Sequence, residues 1–347
     1  MTAKRRRLKR RRMRVLVLLE TGTKPPEDLD SLSEQERHDF KMETDVLTTL
    51  DALGHEVRVL EIKHELAPIK EVLEEWKPHV VFNLIEGFFG LRELDQHVVS
   101  YLELRKQKYT GCNPRGLTLA RDKALTKKVL AYHRIPSPRF AVFKPRKRIV
   151  VPSRLNLPLF VKSLTDEGSE GISQASLVRD YEKLTERIAF IHEKTSSAAL
   201  VEEFIEGREI YVGVFGNELL TALPPWELTM NNLPKDAPVI ATDKAKWDPN
   251  YQRRVGLKSG PAKLDEQMAK EVERTSKRIF RLLGLSGCAR LDYRLTERRR
   301  LYLLEANPNP QIARNEDFAD SAEHVGMKYE ELLQKLITLG LSYEPRP

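Results

Sequence analysis

Alternation of short apolar runs with helix-like segments over the N-terminal part of the chain constrains the fold more than any other feature of the sequence. Three runs have the composition of buried strands: Arg14–Leu19, Val57–Ile62 and Val80–Leu84. Apolar residues at helical spacing separate them, over Phe40–Leu53, where Gly54 is placed to end a helix, and over Ile69–Trp76. Such alternation indicates a parallel sheet with helices on its faces. Because ligands gather beyond the carboxyl ends of parallel strands, we expect a binding site near the loops at Glu20–Pro26 and Asn83–Gly90.

The positive charge of the chain is concentrated at its N-terminus. Among the 347 residues, 59 Lys and Arg stand against 51 Asp and Glu, which gives a formal net charge of +8. Nine cations and no acid lie within Met1–Arg14, so the rest of the chain is close to neutral. We therefore predict a basic tail over residues 1–13, suited to contact with nucleic acid or an anionic surface. A solvated tail without a defined role is the alternative.

Composition and cysteine content narrow the class of protein further. A hydrophobic content of 40% with 32% charged residues excludes a disordered or fibrous chain. Apolar runs such as Val15–Leu19 are far shorter than the ~18 residues of a membrane helix, so we expect no membrane span. Cys112 and Cys288 are too few for a disulfide framework and lack metal-binding spacing. We therefore expect a reducing, cytoplasmic location.

Beyond the first sheet the sequence predicts further helices and strands without an internal repeat. Helices are predicted at Asp122–Tyr132, Asp180–His192, Met268–Leu283 and Tyr329–Leu339. Strands are predicted at Leu157–Ser163, Ala198–Ile205, Cys288–Leu295 and Leu301–Asn307, with a hairpin of Ile210–Phe215 and Leu219–Leu223. The segment Asn231–Lys263 has little periodicity and many Pro, Asp and Lys residues, which indicates a mobile flap.

Polar side chains on the last two strands form the most informative pattern. If Thr296–Arg299 is the turn of a hairpin, Arg290 lies opposite Glu305 and Asp292 lies opposite Leu303. Because alternate residues of a strand share a face, one face then carries four polar residues: Arg290, Asp292, Glu305 and Asn307. Two carboxylates and an amide oxygen suit Mg²⁺, which also binds nucleotide phosphates. The alternative is a half-exposed strand with Arg290–Glu305 as a surface pair, and a one-residue slip of register would separate the carboxylates.

Two further segments have features of a nucleotide site. A strand ends in Phe160-Val161-Lys162, and the loop that follows contains glycines that let backbone amides approach phosphate oxygens. Acidic residues flank a glycine turn between Leu200 and Glu209, an arrangement that could bind an adenine edge and a ribose. Taken alone, the first segment also fits an ordinary strand and turn, and the second a solvated strand end.

In this order, these segments resemble the ATP-grasp superfamily, and most closely the D-alanine–D-alanine ligase family. The resemblance runs from Arg14 to the C-terminal helix and rests on five ordered segments: Tyr109-Thr-Gly-Cys-Asn with Ala120-Arg-Asp-Lys123, Phe160-Val-Lys162 with its loop, Val201-Glu-Glu-Phe-Ile-Glu-Gly-Arg-Glu209, Gly287-Cys-Ala-Arg-Leu-Asp292 and Leu304-Glu-Ala-Asn307. It implies an α/β and α+β chain with an ATP-grasp fold, preceded by an N-terminal parallel α/β domain. The expected parts are the tail at 1–13, the N-terminal domain at 14–119, the central ATP-grasp subdomain at 120–204 and the C-terminal subdomain with the metal site at 205–347.

The resemblance also implies a role for each matching residue. Nine residues would bind ATP: Lys123 and Lys162 at the phosphates, Gly168, Ser169 and Gly171 in the loop above them, Glu202 with the backbone of Glu203 and Ile205 at the adenine, and Glu209 at the ribose. Lys246 would reach the γ-phosphate, and Arg290 would face the reacting carboxyl group. Asp292, Glu305 and Asn307 would bind Mg²⁺, with two ions expected and Mn²⁺ as an alternative.

The activity implied is ATP-dependent ligation of a carboxylate to an amine. ATP converts the carboxylate to an acyl phosphate, and the amine attacks it to give an amide, ADP and phosphate. The substrates would be small molecules such as amino acids or a peptide, a flap would exclude water, and the resemblance favours a homodimer. Two alternatives remain open: a small-molecule kinase with the same ATP site, and a non-catalytic binding protein recruited by its basic tail.

The amino-acid pockets depart from the family pattern. Glu20–Pro26 reads Glu-Thr-Gly-Thr-Lys-Pro-Pro where the family has Gly-Gly-x-Ser-x-Glu-His, and Glu86 stands in the place of a histidine before glycine. After Asn307, the segment Pro308–Arg314 replaces a small Gly-Met-Thr run that leads to a serine, and it brings bulkier and charged groups. We therefore expect a product other than D-alanyl-D-alanine, with Glu86 and Arg314 facing a substrate whose charge is placed differently.

Overall fold

The computed structural model describes residues 12–165, 169, 171–195, 197–234 and 237–345. Within these residues the α-helices are α1 (Glu34–Asp39), α2 (Lys41–Ala52), α3 (Ala67–Glu75), α4 (Asp95–Leu104), α5 (Pro114–Arg121), α6 (Lys123–Tyr132), α7 (Tyr181–Thr195), α8 (Asp243–Trp247), α9 (Pro249–Val255), α10 (Glu266–Leu282), α11 (Asp317–His324) and α12 (Tyr329–Ser342). The strands are β1 (Arg14–Glu20), β2 (Glu56–Ile62), β3 (Val80–Asn83), β4 (Phe140–Phe143), β5 (Leu159–Ser163), β6 (Leu177–Val178), β7 (Ala199–Glu203), β8 (Arg208–Phe215), β9 (Thr221–Ala222), β10 (Trp226–Met230), β11 (Leu257–Pro261), β12 (Cys288–Leu295) and β13 (Leu301–Asn307).

The first sheet is parallel, with its three strands in the order β2–β1–β3. Its central strand is apolar and fully buried over Val15–Leu19, because helices cover both faces of the sheet. The helices α3 and α4 contribute to the core on one face, and α2 and the C-terminal helix α12 to the core on the other. Gly54 follows the end of α2 with a φ of +79°, the left-handed conformation that ends many helices. The predicted parallel α/β arrangement of the N-terminal part is confirmed.

The second sheet is antiparallel, with four strands in the order β4–β7–β5–β6. Leu159, Val161 and Val201 point to the face that α7 covers and are fully buried. Because side chains alternate along a strand, Phe160, Lys162 and Glu202 point to the opposite face. This second face forms one wall of a cleft.

The third sheet supplies the other wall of that cleft. It has six strands, in the order β11–β10–β8–β12–β13 with β9 paired to β8. The apolar stripe of α10, which includes Met268, Val272 and Ile279, packs on one face, as the helical spacing predicts. Arg290 and Asp292 of β12 lie on the other face, toward the cleft.

The segment 231–263 contains α8, α9 and β11, three elements that its lack of periodicity did not predict. Both helices are too short to display an apolar stripe, with five and seven residues. They are instead defined by their ends, where the side chains of Thr242 and Asp248 accept hydrogen bonds from backbone amides of the first turn. The helices α4, α5 and α11 were also absent from the predicted elements.

The C-terminal helix α12 closes the core of the first sheet. Leu332, Leu333 and Leu336 of α12 are buried in one cluster with Val15 and Val17 of β1. The last helix of the chain is therefore part of the N-terminal layer, and residues far apart in sequence complete its core.

Residues 1–11 of the predicted basic tail lie outside the described residues. Of the predicted basic tail, Arg12 and Met13 belong to the described residues, and Met13 packs beside the core that α12 closes. In the portion of the chain that is described, no helix combines the length and apolar content needed to cross a membrane.

Candidate active site

A cleft of about 870 Å³ lies between the second and third sheets. It brings together residues from α6, β5, β7, β8, α8, β12 and β13, which are distant in sequence. Twelve of the residues predicted for the site line it: Lys123, Lys162, Ser169, Glu202, Glu203, Ile205, Glu209, Lys246, Arg290, Asp292, Glu305 and Asn307. The sequence segments that suggest a nucleotide site therefore converge on one place.

Of the other predicted loop residues, one lies away from this wall and one is not described. Gly168 lies outside the described residues, so its position is not part of the structure. Gly171 does not line the cleft, and its carbonyl accepts a hydrogen bond from the Arg187 guanidinium. Ser169, which does line the cleft, has a φ of +63°.

The register of the last hairpin differs from the predicted one. Arg290 lies opposite Asn307 rather than Glu305, and Asp292 lies opposite Glu305 rather than Leu303. Two features cause the difference. The first is a turn of three residues: the Thr296 amide donates to the Arg300 carbonyl, the Arg300 amide donates to the Thr296 hydroxyl, and Arg299 between them is left-handed.

A β-bulge is the second cause of the altered register. The pairing shifts between Asp292 and Tyr293, so that Leu304 becomes an extra residue on β13. Leu303 consequently faces the core and is buried, while Glu305 still faces the cleft. The predicted face of Glu305 is confirmed, although the predicted partners are wrong.

Two carboxylates and an amide face one another across this hairpin. The Asp292 carboxylate accepts two hydrogen bonds from Arg290, at 2.8 and 2.9 Å. Glu305 lies 3.8 Å from the Lys123 ammonium. Burial alone would raise the pKa of Glu305, but the surrounding cations, led by Lys123 and Lys162, hold the pKa below its ordinary value. Glu305 is therefore ionised at neutral pH.

The donor set fits a magnesium ion that is shared with a phosphate ligand. Mg²⁺ takes oxygen ligands and commonly uses one or two protein carboxylates together with substrate phosphates. Asp292 and Glu305 supply the carboxylates and Asn307 an amide oxygen, which already accepts a hydrogen bond from the Asn309 amide at 2.8 Å. Within the described chain, no group of three or more His, Cys, Asp or Glu side chains is placed to hold a metal without such a partner.

A buried triad connects α6 to the second sheet. Glu202 lies 2.9 Å from the Lys127 ammonium and 3.0 Å from the Lys162 ammonium, and all three side chains are nearly inaccessible. Burial alone would raise the pKa of Glu202, but the two lysines outweigh it and lower the pKa. Lys127 was missed from the sequence, although it follows Lys123 by four residues and so lies on the same face of a helix.

The far end of the cleft combines aromatic rings with a paired acid. The rings of Phe160 and Phe204 lie 6.3 Å apart at an angle of 32°, beside Ile205. Glu209 is bound by Arg294 at 2.8 Å and accepts a hydrogen bond from the Tyr211 hydroxyl at 2.8 Å. Arg294 was not predicted, but it continues the alternate-residue pattern of Arg290 and Asp292 along β12. The flat, partly apolar end is suited to a base, and the acid beside it to hydroxyl groups.

A second cleft, of about 1380 Å³, adjoins the first around Lys246, Arg290 and Asn307. Burial and the neighbouring Arg290 both lower the pKa of Lys246. Glu86 lines this second cleft, as the sequence predicts, and lies 3.7 Å from Arg92.

Arg314 does not face the second cleft, so that expectation is wrong. Its guanidinium bonds Glu330 at 2.8 Å and stacks on the Tyr329 ring at 4.3 Å. The charged residues that this segment presents to the cleft are instead Glu316 and Asp317. The start of α11 at Asp317, which the sequence did not predict, decides which charged side chains face the second cleft.

A family model described as the C-terminus of D-ala D-ala ligase matches residues 129–338. Among curated proteins, the chain is 30% identical to a D-alanine–D-alanine ligase of Syntrophotalea carbinolica, over 83% of this chain and 86% of that protein. It is 29% identical to a D-alanine–D-alanine ligase of Aquifex aeolicus, over 84% and 92% of the two chains. It is also 29% identical to an uncharacterised protein of Sinorhizobium fredii, over 85% and 86%.

Solved structures share the fold at lower sequence identity. A D-alanine–D-alanine ligase from Bacillus anthracis complexed with ATP superposes with a TM-score of 0.73 at 20% identity, covering 95% of this chain and 97% of that one. The ligase from Coxiella burnetii gives 0.68 at 19% identity, covering 95% and 94%. The chain therefore shares the fold of these proteins.

Proposed function

Because the chain belongs to the D-alanine–D-alanine ligase family of ATP-grasp proteins, we propose that the cleft between its second and third sheets is the active site. The protein is an ATP-dependent ligase that joins a small-molecule carboxylate to an amine. The roles of individual residues, the use of Mg²⁺ and the choice of substrates make up the proposal. One observation supports it most directly: twelve residues predicted from six separate segments line a single cleft.

The lysines of the second sheet and α6 would hold the phosphates of ATP. Lys123 and Lys162 line the cleft within reach of Glu305, and Lys246 enters from α8 on the side of the second cleft. Ammonium groups that line the cleft from three separate elements would attract the negatively charged phosphates. The rings of Phe160 and Phe204, with the backbone of Glu203 and Ile205, would hold the adenine, and Glu209 the ribose.

Asp292, Glu305 and Asn307 would hold Mg²⁺ together with the phosphates. When bound, the ion would neutralise charge on the phosphoryl group during transfer. Arg290 is placed where the two clefts meet, and its side chain is fixed by Asp292 and by the Tyr211 ring at 4.7 Å. A cation held in this way would stabilise the oxyanion that forms when an amine attacks the activated carboxyl carbon.

The second cleft would hold the carboxylate and amine substrates, and we propose that they are not two molecules of D-alanine. Its wall carries Glu86, Glu316 and Asp317, which add charge where the family pattern has a histidine, small residues and a serine. A carboxylate substrate group next to these acids would be repelled unless it lay close to Arg290.

The test is an ADP-release screen of the full chain with pairs of amino acids and small carboxylates, with products identified by mass. We expect release that requires Mg²⁺ and two substrates, and a product mass equal to the two substrates less one water. D-alanine alone should give little ADP. A stable phosphorylated product without an amine would instead identify a kinase.

Matched variants connect the activity to the cleft. Glu305→Gln should lower ADP release by roughly 10²-fold or more, a loss typical of a removed charge-stabilising group. Glu297→Gln, on the exposed turn of the same hairpin, should retain wild-type activity. Full activity of Glu305→Gln would exclude the proposed metal site, and binding activity that depends on residues 1–13 alone would favour the non-catalytic alternative.

A further inference from the structure

The second cleft has an acidic wall at the start of α11. Glu316 is the N-cap residue of α11, yet its side chain makes no capping hydrogen bond. Asp317, the first residue of the helix, accepts a hydrogen bond from the Ser259 hydroxyl and lies 3.8 Å from the Arg290 guanidinium. Both side chains line the cleft that Arg290 shares with the nucleotide site.

Glu316 has no local structural function that explains its charge. Ser, Thr, Asp and Asn are the residues that cap helices through their side chains, and glutamate is not among them. Within the described part of the chain, the Glu316 carboxylate has neither a hydrogen-bond donor nor an ion-pair partner. Burial and, after it, the adjacent Asp317 raise the pKa of Glu316 to about 7, although Lys41 and Arg290 act in the opposite direction. The carboxylate thus lies in the cleft at a cost to the free protein, which a cationic ligand would offset.

Three of the four Lys and Arg residues that line the same cleft have acidic partners. Lys41 bonds Asp45 at 3.2 Å and the carbonyl of Arg314. Arg92 lies beside Glu86. Arg290 is held by Asp292 through two hydrogen bonds, and Lys246 also lines the nucleotide cleft. Within the described residues Lys246 has no ion-pair partner, and the phosphates of ATP would neutralise it, so the charge that remains in the second cleft with ATP bound is negative.

Aromatic rings lie along the outer part of the same cleft. The His38 and Trp247 rings meet edge to face at 5.9 Å, and both line the cleft. An aromatic face next to carboxylates binds organic cations, because the ring quadrupole and the acids attract positive charge together. This second feature is independent of the acidic residues and favours the same ligand chemistry.

We propose that the second cleft selects an amine substrate that carries an additional positive charge, and that Glu316, with Asp317 beside it, binds that charge. The proposal rests on the ligase function and specifies its amine substrate as a diamine or a basic amino acid. The non-reacting ammonium or guanidinium group would lie against Glu316, while the neutral amine attacks the activated carboxyl carbon. In that step a C–N bond forms, the C–O bond to phosphate breaks, phosphate leaves, and the amine loses a proton to solvent.

The experiment compares amines that differ by one charge. With the carboxylate identified in the ADP-release screen, the full chain is assayed with 1,4-diaminobutane against butylamine, and with lysine against norleucine in both enantiomers. We expect KM for the charged member to be at least tenfold lower. Glu316→Gln should remove this preference by raising KM for the charged amine, with little change in kcat. Glu323→Gln, exposed on the same helix, should keep it.

A binding measurement separates failure of this inference from failure of the ligase function. Calorimetric titration of 1,4-diaminobutane and butylamine is performed on the full chain with Mg²⁺ and a non-hydrolysable ATP analogue. Tighter binding of the diamine that Glu316→Gln abolishes would support the inference even without turnover. ADP release with neutral amines at equal KM, or a preference unchanged in Glu316→Gln, would overturn the inference and leave the ligase function intact. Absence of both turnover and amine binding would overturn both.

Discussion

Replacing Glu202 by glutamine tests whether the buried triad stabilises the protein as its geometry implies. The Glu202 carboxylate is 3% exposed and is the partner of two buried ammonium groups, those of Lys127 and Lys162. Glu202→Gln would leave both cations inside the protein with an amide in place of a charge. Removing one partner of a buried ion pair typically costs about 3–5 kcal/mol, and a carboxylate shared by two cations belongs at the upper part of that range.

The assay is equilibrium unfolding in urea, followed by far-ultraviolet circular dichroism. Glu202→Gln should lower the free energy of unfolding by roughly 4–5 kcal/mol at pH 7. Lys127→Met should cost less, because Glu202 keeps its contact with Lys162. The double variant should be less destabilised than the sum of the single variants, since the two side chains interact directly. Glu203→Gln is the neighbouring control, because among the described residues that carboxylate accepts hydrogen bonds only from Asn156, at 3.4 Å.

The same triad gives a pH dependence whose sign follows from the lowered pKa of Glu202. A carboxylate with a lower pKa in the folded state contributes stability above its unfolded pKa and loses it as the pH falls through the folded value. The difference between wild type and Glu202→Gln should therefore be largest near pH 7 and shrink in acid. If the free energy of unfolding of Glu202→Gln at pH 7 lay within about 1 kcal/mol of the wild-type value, a change no larger than exposed substitutions cause, this account would be refuted.

Three further predictions concern other parts of the molecule. Burial raises the pKa of Glu43 from its ordinary value of 4.5 to about 7, so the protein loses stability as the pH rises through this range and the buried carboxyl group ionises. Glu43→Gln should therefore stabilise the protein by about 2–3 kcal/mol at pH 8 and by little at pH 4, as measured by thermal melts. Arg294→Met should raise KM for ATP roughly tenfold with kcat nearly kept, because Glu209 loses a charged hydrogen bond; equal KM values would exclude a role at the ribose. Gly340→Ala would place a methyl group 2.3 Å from the Tyr109 carbonyl oxygen and should cost about 1–3 kcal/mol in urea unfolding; an unchanged midpoint would contradict this packing.

Periodicity predicted the elements with long apolar patterns and missed those defined by other means. The strands β12 and β13 have the predicted bounds, and the strands and helices of the first sheet are close to theirs, because each buries a regular set of side chains. The short helices α8 and α9 depend on capping side chains instead. In the hairpin of β12 and β13, the apolar residues Leu301, Leu303 and Ala306 break the two-residue period, and that break is the signal of the bulge at Leu304.

The positions of the site residues were predictable in part. Alternation along a strand places Arg290 and Asp292 on one face, whatever the register of the neighbouring strand. The charge of the second cleft was not predictable, because it depends on where α11 begins and on contacts that turn Arg314 away toward Tyr329 and Glu330. Such contacts join residues far apart in the chain, and the spacing of residues along the sequence does not predict them.

The burial of α12 against β1 has a consequence for how the molecule is made. Val15 and Val17 leave the ribosome more than 300 residues ahead of Leu332, Leu333 and Leu336. Until then the face that α12 shares with α2 is only partly covered, and the apolar surface beneath α12 is exposed to water and to other nascent chains. The core of the first sheet is thus completed only when α12 has been made. A chain truncated before α12 would expose an aggregation-prone apolar face of this sheet and would not be a smaller functional protein.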